Sequence, residues 1–328
     1  MANKNLSGAD IYNDHFYKLA KKKISESDPK YMLDGFYNYI ISSKSYSSAY
    51  VYICQVANFL KTVDDVTKID IDNYNAFLAT LKNKSSSNQI NAYHAIQRYS
   101  KYLKAKGVCE DYMQYVERPK FVETQHTKDA RERGYMNKEE TRQLFDRSIS
   151  RSGYQRDKGE QWKARDLAIL MIFINTGIRC SALYKLDVDD VDFENMTINV
   201  LEKGSKYRKI AISNMTVKAI KDWLVYRKEI LGDINDNALI ISTRRERMTT
   251  GAIRSLIKKM GEIFPDKNIT PHKLRATFGT QLYAKTKDLY FVQQCMGHSN
   301  PVTTELYIRG QKSDQSRHAS NLMADFLN

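Results

Sequence analysis

The sequence predicts a mainly α-helical protein of two domains, an N-terminal four-helix domain and a C-terminal mixed α/β domain with a small antiparallel sheet. Three observations carry that prediction. Apolar residues recur at helical spacing in four N-terminal segments, two later segments alternate as the strands of a hairpin, and a charged stretch between them has no apolar period. A chain of 328 residues with 42% hydrophobic content has the material for two cores rather than one.

Residues 1–28 are polar and rich in lysine and are expected to form a loose arm. Residues 29–116 are the predicted helical domain. Leu33, Phe36, Tyr37 and Ile40 repeat at i, i+3, i+4 and i+7, and Tyr52, Val56, Phe59 and Leu60 do the same in the next segment. A shorter pattern runs from about Ile71 to Leu81. In the fourth, Ala92, Ile96, Tyr99 and Leu103 mark one face and Asn91, His94, Arg98 and Lys101 the other. A basic, hydrogen-bonding helix face suits a DNA groove, although an ordinary solvated face has the same composition.

Residues 117–135 mix charge with Pro119 and Gly134 and read as a linker, so the second domain is expected over 136–328. Asn137 with Glu140 three positions on forms a capping box that opens a helix through Leu144 and Phe145. A buried helix follows from about Ala164 to Asn175. Thr197–Leu201 and Arg208–Ile212 read as strands around the basic turn Lys203-Gly204-Ser205-Lys206, and helices dominate beyond them. In the tail from Asp314 to Asn328, Ala319, Leu322, Met323 and Phe326 return to helical spacing.

A formal charge of +14 and a pI near 9.4 favour a polyanionic partner, nucleic acid before membrane. Lys and Arg exceed Asp and Glu by 17 to 12 in residues 1–120 and by 35 to 26 in the remainder, so both domains are able to touch phosphate. Cys54, Cys109, Cys180 and Cys295 are scattered without a C-x-x-C pair, which suggests neither a zinc site nor a disulfide framework and suits a reducing cytoplasm. The first ten residues lack the apolar core of a signal peptide. The longest apolar run, Leu167 to Ile174, is far short of the roughly 18 residues of a membrane span, so a soluble, cytoplasmic protein is expected.

Four segments of the second half carry chemistry together: Thr176-Gly177-Ile178-Arg179, Glu202-Lys203-Gly204, His272-Lys273-Leu274-Arg275, and Gly297-His298 with Tyr307 nine positions on. Alone each is commonplace; a Thr-Gly-x-Arg after an apolar helix is often a C-cap glycine followed by a surface arginine. In this order and with this final gap they resemble the tyrosine recombinase (phage integrase) family, from about residue 28 to the end of the chain. The resemblance implies a C-shaped clamp whose N-terminal domain is a core-binding domain. It assigns catalytic roles to Arg179, Lys203, His272, Arg275, His298 and Tyr307. The reaction it implies is cutting and rejoining of double-stranded DNA at specific recombination sites through a 3′-phosphotyrosine, with no metal, ATP or other cofactor. It also implies a homotetramer on DNA in which the C-terminal tail docks on a neighbouring subunit.

The residue types suit those roles. Planar, permanently charged guanidiniums clamp the non-bridging oxygens of a phosphodiester bidentately, the task of Arg179 and Arg275. His272, three residues before Arg275 on a helix opened by Thr270-Pro271, faces the same pocket and can hydrogen-bond the phosphate or accept the tyrosine proton. His298 can donate to another phosphate oxygen. Lys203 is the expected general acid for the departing 5′ oxygen; Lys206, Arg208 and Lys209 compete for that role or contact DNA phosphate. Tyr307 is the nucleophile, and its phenol needs cationic neighbours to attack at neutral pH.

One position departs from the family pattern. The acidic residue usual three places after the first arginine is Ala182, which leaves open a catalytically silent DNA-binding regulator on the same fold. A type IB topoisomerase-like enzyme shares the chemistry and is the other alternative. Integrase and resolvase roles stay undivided.

Overall fold

The computed structural model describes residues 7–120, 135–150, 157–202 and 207–297. It is mainly helical with a small antiparallel sheet, as the sequence predicts. Two compact units emerge, one over Asp10–Gln125 and one formed by Met1–Ala9 with His126–Asn328.

The first unit holds helix α1 (Gly8–Ser25) from Asp10 onward, α2 (Leu33–Ile41), α3 (Tyr46–Leu60), α4 (Ile71–Thr80) and α5 (Ser86–Ala105). The apolar stripes are buried as their spacing requires: Phe36, Ile40, Val56, Phe59, Ala92, Ile96, Tyr99 and Leu103 are fully enclosed. Their N-caps are local in sequence. Ser45 accepts from Ser48 N, Ser85 from Asn88 N, and Asp70 forms a reciprocal box with Asn73. α1 corrects the expectation of a loose arm over 1–28. Its apolar stripe is thin and set among lysines, with Phe16, Ala20 and Ile24 at four-residue steps; Phe16 meets Tyr50, and Ala20 is buried in the core. Lys21, which dilutes the pattern in the sequence, pairs with Asp34 and lies over the rings of Tyr17 and Tyr37.

The second unit is built around α7 (Glu160–Thr176), whose residues Ala168 to Phe173 are all buried. α6 (Lys138–Ile149), α9 (Asn214–Leu231) and α11 (Pro271–Thr286) pack against it. The predicted capping box at the start of α6 is present, with Asn137 N donating to Glu140 Oε2 at 2.8 Å and Glu140 N to Asn137 Oδ1 at 2.8 Å. Asp166, fully buried in α7, accepts from Arg165 at 2.8 and 3.0 Å and pairs with Lys158, so the buried carboxylate has its partners in place. Both tryptophans belong to this unit; the rings of Trp162 and Trp223 lie 6.3 Å apart, and Trp223 is fully buried.

Strands β1 (Val191–Asp192), β2 (Thr197–Leu201) and β3 (Tyr207–Ala211) form an antiparallel sheet in the order β1-β2-β3. Ile198 and Val200 of β2 point into the core, whereas β3 is an edge strand that exposes Tyr207 and Lys209. Short helices α8 (Cys180–Lys185), α10 (Thr250–Met260) and α12 (Leu289–Met296) complete the unit. Among the described residues no helix is long and apolar enough to cross a membrane.

Candidate active site

The site is assembled where helices end. Gly177 closes α7 in the left-handed conformation at φ +59°, its N–H bonded to Phe173 O, and Arg179 follows as the extended N-cap of α8. A Cβ on Gly177 would stand 2.5 Å from Phe278 Cδ1, so both backbone and space demand glycine. Thr270 caps α11 by accepting from Lys273 N at 3.2 Å, with Pro271 in the first turn, and His272 and Arg275 follow one turn apart. Gly297 closes α12 at φ +61°, as the Leu289, Val292, Met296 pattern predicts.

Arg275 joins two of these ends. It is 2% exposed, and its Nη1 donates to Gly177 O at 2.6 Å while Nη2 donates to Met296 O at 2.5 Å. Arg208, in register with Val200 across the hairpin, donates from Nη1 to Cys295 O at 2.6 Å. Two guanidiniums thus satisfy consecutive carbonyls at the C-terminus of α12, where backbone acceptors lack helical partners and the helix dipole favours positive charge. Arg208 also donates from Nη2 to Glu202 Oε1 at 2.9 Å, and the other oxygen of Glu202 accepts from Arg179. The contacts close a circuit that runs from Gly177 through Arg275, the end of α12, Arg208 and Glu202 to Arg179, two residues beyond Gly177.

His272 retains an exposed edge, yet burial of the rest of the ring, together with the nearby charges of Arg275 and Arg179, holds its pKa below the ordinary imidazole value. It is therefore neutral at physiological pH and able to accept a proton. The structure accordingly brings Arg179, from the α7–α8 connection, together with His272 and Arg275 of α11. Lys203, Lys206, His298 and Tyr307 lie outside the described residues. Lys209 is exposed, with Asp192 3.6 Å away, whereas Arg208 has its partners inside the protein.

In the first unit, Asn91 and Lys101 of α5 are exposed and His94 and Arg98 half-buried, all on the face away from the core. Arg98 donates to Ser43 Oγ at 3.3 Å. Burial and the charges of Arg118 and Lys44 lower the pKa of His94, so those two side chains extend the basic face beyond what α5 alone reveals. Sequence reasoning gave no role to Glu202. The signal available was an acid directly before the candidate lysine in a chain that carries Ala182 near Arg179.

The model of the phage integrase family matches residues 134–314. A tyrosine recombinase XerC of Shewanella amazonensis is 36% identical over 144 residues, 44% of this chain and 48% of that protein. The chain thus spans about half the length of the first curated relatives it matches. Another tyrosine recombinase XerC, from Caldanaerobacter subterraneus subsp. tengcongensis, is 30% identical over 268 residues, 79% of this chain and 70% of that one. Among solved structures, the XerH site-specific recombinase bound to palindromic difH substrate is similar with a TM-score of 0.67 at 19% identity, covering 94% of this chain and 88% of that one. The Tn1549 transposon integrase in complex with transposon right end DNA is similar with a TM-score of 0.60 at 18% identity, covering 89% and 99%. The solved structures establish the fold, and with the family model covering more than half of the sequence, the chain belongs to the phage integrase family.

Proposed function

We propose that the chain is a site-specific tyrosine recombinase that cuts and rejoins double-stranded DNA at specific recombination sites through a 3′-phosphotyrosine on Tyr307. The observation that carries this reading is the convergence of Arg179, His272 and Arg275 around one circuit of ion pairs and helix ends.

The Tyr307 hydroxyl attacks the phosphorus and gives its proton to neutral His272, and the bond to the 5′ oxygen breaks as Lys203 protonates that oxygen. The side chain of Arg179 is 39% exposed and presents its guanidinium to the non-bridging oxygens, where negative charge grows. Arg275 adds positive charge from below and fixes the two turns that lead to Arg179 and His298. His298 donates to the phosphate. Attack of a 5′ hydroxyl from the same or a partner strand reverses the steps, and because the phosphotyrosine retains the bond energy, neither ATP nor metal is called for. Lys206, Lys209 and the Asn91, His94, Arg98, Lys101 face bind backbone and groove. Residues 314–328 link subunits into a tetramer on DNA.

The test is covalent capture. The purified chain is incubated with a pool of nicked duplexes of randomised sequence, denatured in detergent, and the adducts are isolated, sequenced and mapped by mass spectrometry. A selected site joined to Tyr307, with no adduct from Tyr307→Phe, is the expected result. Binding without any adduct would instead identify a silent DNA-binding protein.

A further inference from the structure

The geometry points to Glu202 as the positioning carboxylate that orients Arg179 for phosphate, supplied by the catalytic hairpin because α8 has no acidic side chain to offer. This rests on the reading of Arg179 as a phosphate-binding guanidinium. Arg179 ends a long side chain in the short connection between α7 and α8, and holding it in one rotamer costs up to about 2 kcal/mol of side-chain entropy. α8 is Cys180-Ser181-Ala182-Leu183-Tyr184-Lys185, and Ala182, 3% exposed, faces the apolar core. Glu202 instead reaches Arg179 from the end of β2 and is itself held; its side chain is 11% exposed, and its other oxygen accepts from Arg208, which is anchored on Cys295 O.

The fit is close. A Cβ at Gly297 would lie 3.1 Å from both Glu202 Oε1 and Arg208 Nε, so the glycine that turns the chain toward His298 also admits the ion pair. Two guanidiniums on one carboxylate leave the cluster positive, so it still attracts phosphate. Of the donors of Arg179, Nη1 is directed to Glu202, which sets the plane of the guanidinium and leaves the geometry for bidentate clamping to the rest.

Glu202→Gln keeps the shape and removes the charge. On the duplex selected by covalent capture, single-turnover cleavage by Glu202→Gln should fall about 10–100-fold, the range of a lost charge-assisted hydrogen bond. DNA affinity and the urea midpoint should be unchanged, and Glu202→Asp should recover part of the rate. A methylphosphonate at the cleavage point separates orientation of Arg179 from a merely structural role, since both diastereomers lose the negative charge and one of them also carries methyl in place of the non-bridging oxygen that faces Arg179. On the diastereomer with methyl facing Arg179, Glu202→Gln should cleave within about threefold of the wild type. Equal slowing on the phosphodiester and on both diastereomers would mean that Glu202 acts through the hairpin and overturns the inference, as would a wild-type rate on the phosphodiester. Absence of any adduct from the wild type would reject the recombinase reading itself and this inference with it.

Discussion

Replacing Arg275 should unfold as well as disarm the site. The side chain is 2% exposed and its two bonds satisfy Gly177 O and Met296 O, so Arg275→Ala leaves two carbonyls without their donors in a place water does not reach. Each orphaned acceptor costs about 1–3 kcal/mol, giving about 2–6 kcal/mol, against a typical total of about 5–15 kcal/mol. Both tryptophans lie in the same unit, and their fluorescence reports its unfolding directly. With a urea slope of about 2 kcal/mol/M, a loss near 4 kcal/mol lowers the midpoint by about 2 M. Arg275→Lys keeps the charge but loses the fork, and should fall about halfway. A midpoint within about 0.3 M of the wild type, accompanied by lost cleavage, would show that Arg275 serves the phosphate alone and would refute the structural argument.

Other expectations follow from the same geometry. Lys203→Ala should slow cleavage about 10²–10⁴-fold, and sulfur at the bridging 5′ position should restore a near wild-type rate; rescue of Lys206→Ala with Lys203→Ala left slow would move the general acid to Lys206. DNA affinity, read by fluorescence anisotropy, should fall steeply with salt, and reversing charge at Arg98 and Lys101 should weaken it more than at Lys21 and Lys22, because Lys21 is already paired with Asp34. His272, whose folded pKa is depressed, binds a proton more readily when unfolded; its contribution is full above about pH 6.5 and is lost as pH falls through the lower folded value. The urea midpoint should therefore drop between pH 7.5 and 5.5 by less in His272→Gln than in the wild type. Gly177→Ala, which meets both a left-handed backbone and Phe278, should cost about 2–4 kcal/mol, and a wild-type thermal midpoint would count against the cap geometry.

Helices whose apolar residues step evenly along one face, such as α3 and α5, were legible because burial follows periodicity. The box at Asn137, the turn at Gly177 and the Thr270-Pro271 start were legible because caps are local in sequence. α1 was not, since Phe16, Ala20 and Ile24 are three apolar positions in a lysine-rich segment and only a neighbour's core gives them somewhere to go. The ion-pair circuit was invisible for a different reason: Arg179 and Glu202 are 23 residues apart and Arg208 and Cys295 are 87 apart. Nothing in local spacing announces such partners. Arg208, which the sequence offers to DNA as a basic hairpin residue, has the charge for that role but is bonded within the fold. Arg275 likewise reads as a phosphate ligand from its motif, while its burial and its carbonyl partners emerge only from the packing of α7, α11 and α12.

The closed circuit sets the smallest piece of this protein that can be exchanged with a relative. A hairpin transplanted from a chain that lacks a carboxylate at position 202 would bring its turn but leave Arg179 beside Ala182 with no acid at either place. The reverse graft would carry Glu202 and Arg208 to a chain whose α12 end is not built to receive them. Working chimeras should therefore have their junctions outside the circuit, with the α7–α8 connection, the β2–β3 hairpin, α11 with its Arg275 and the α12–Gly297 turn moved as one cassette.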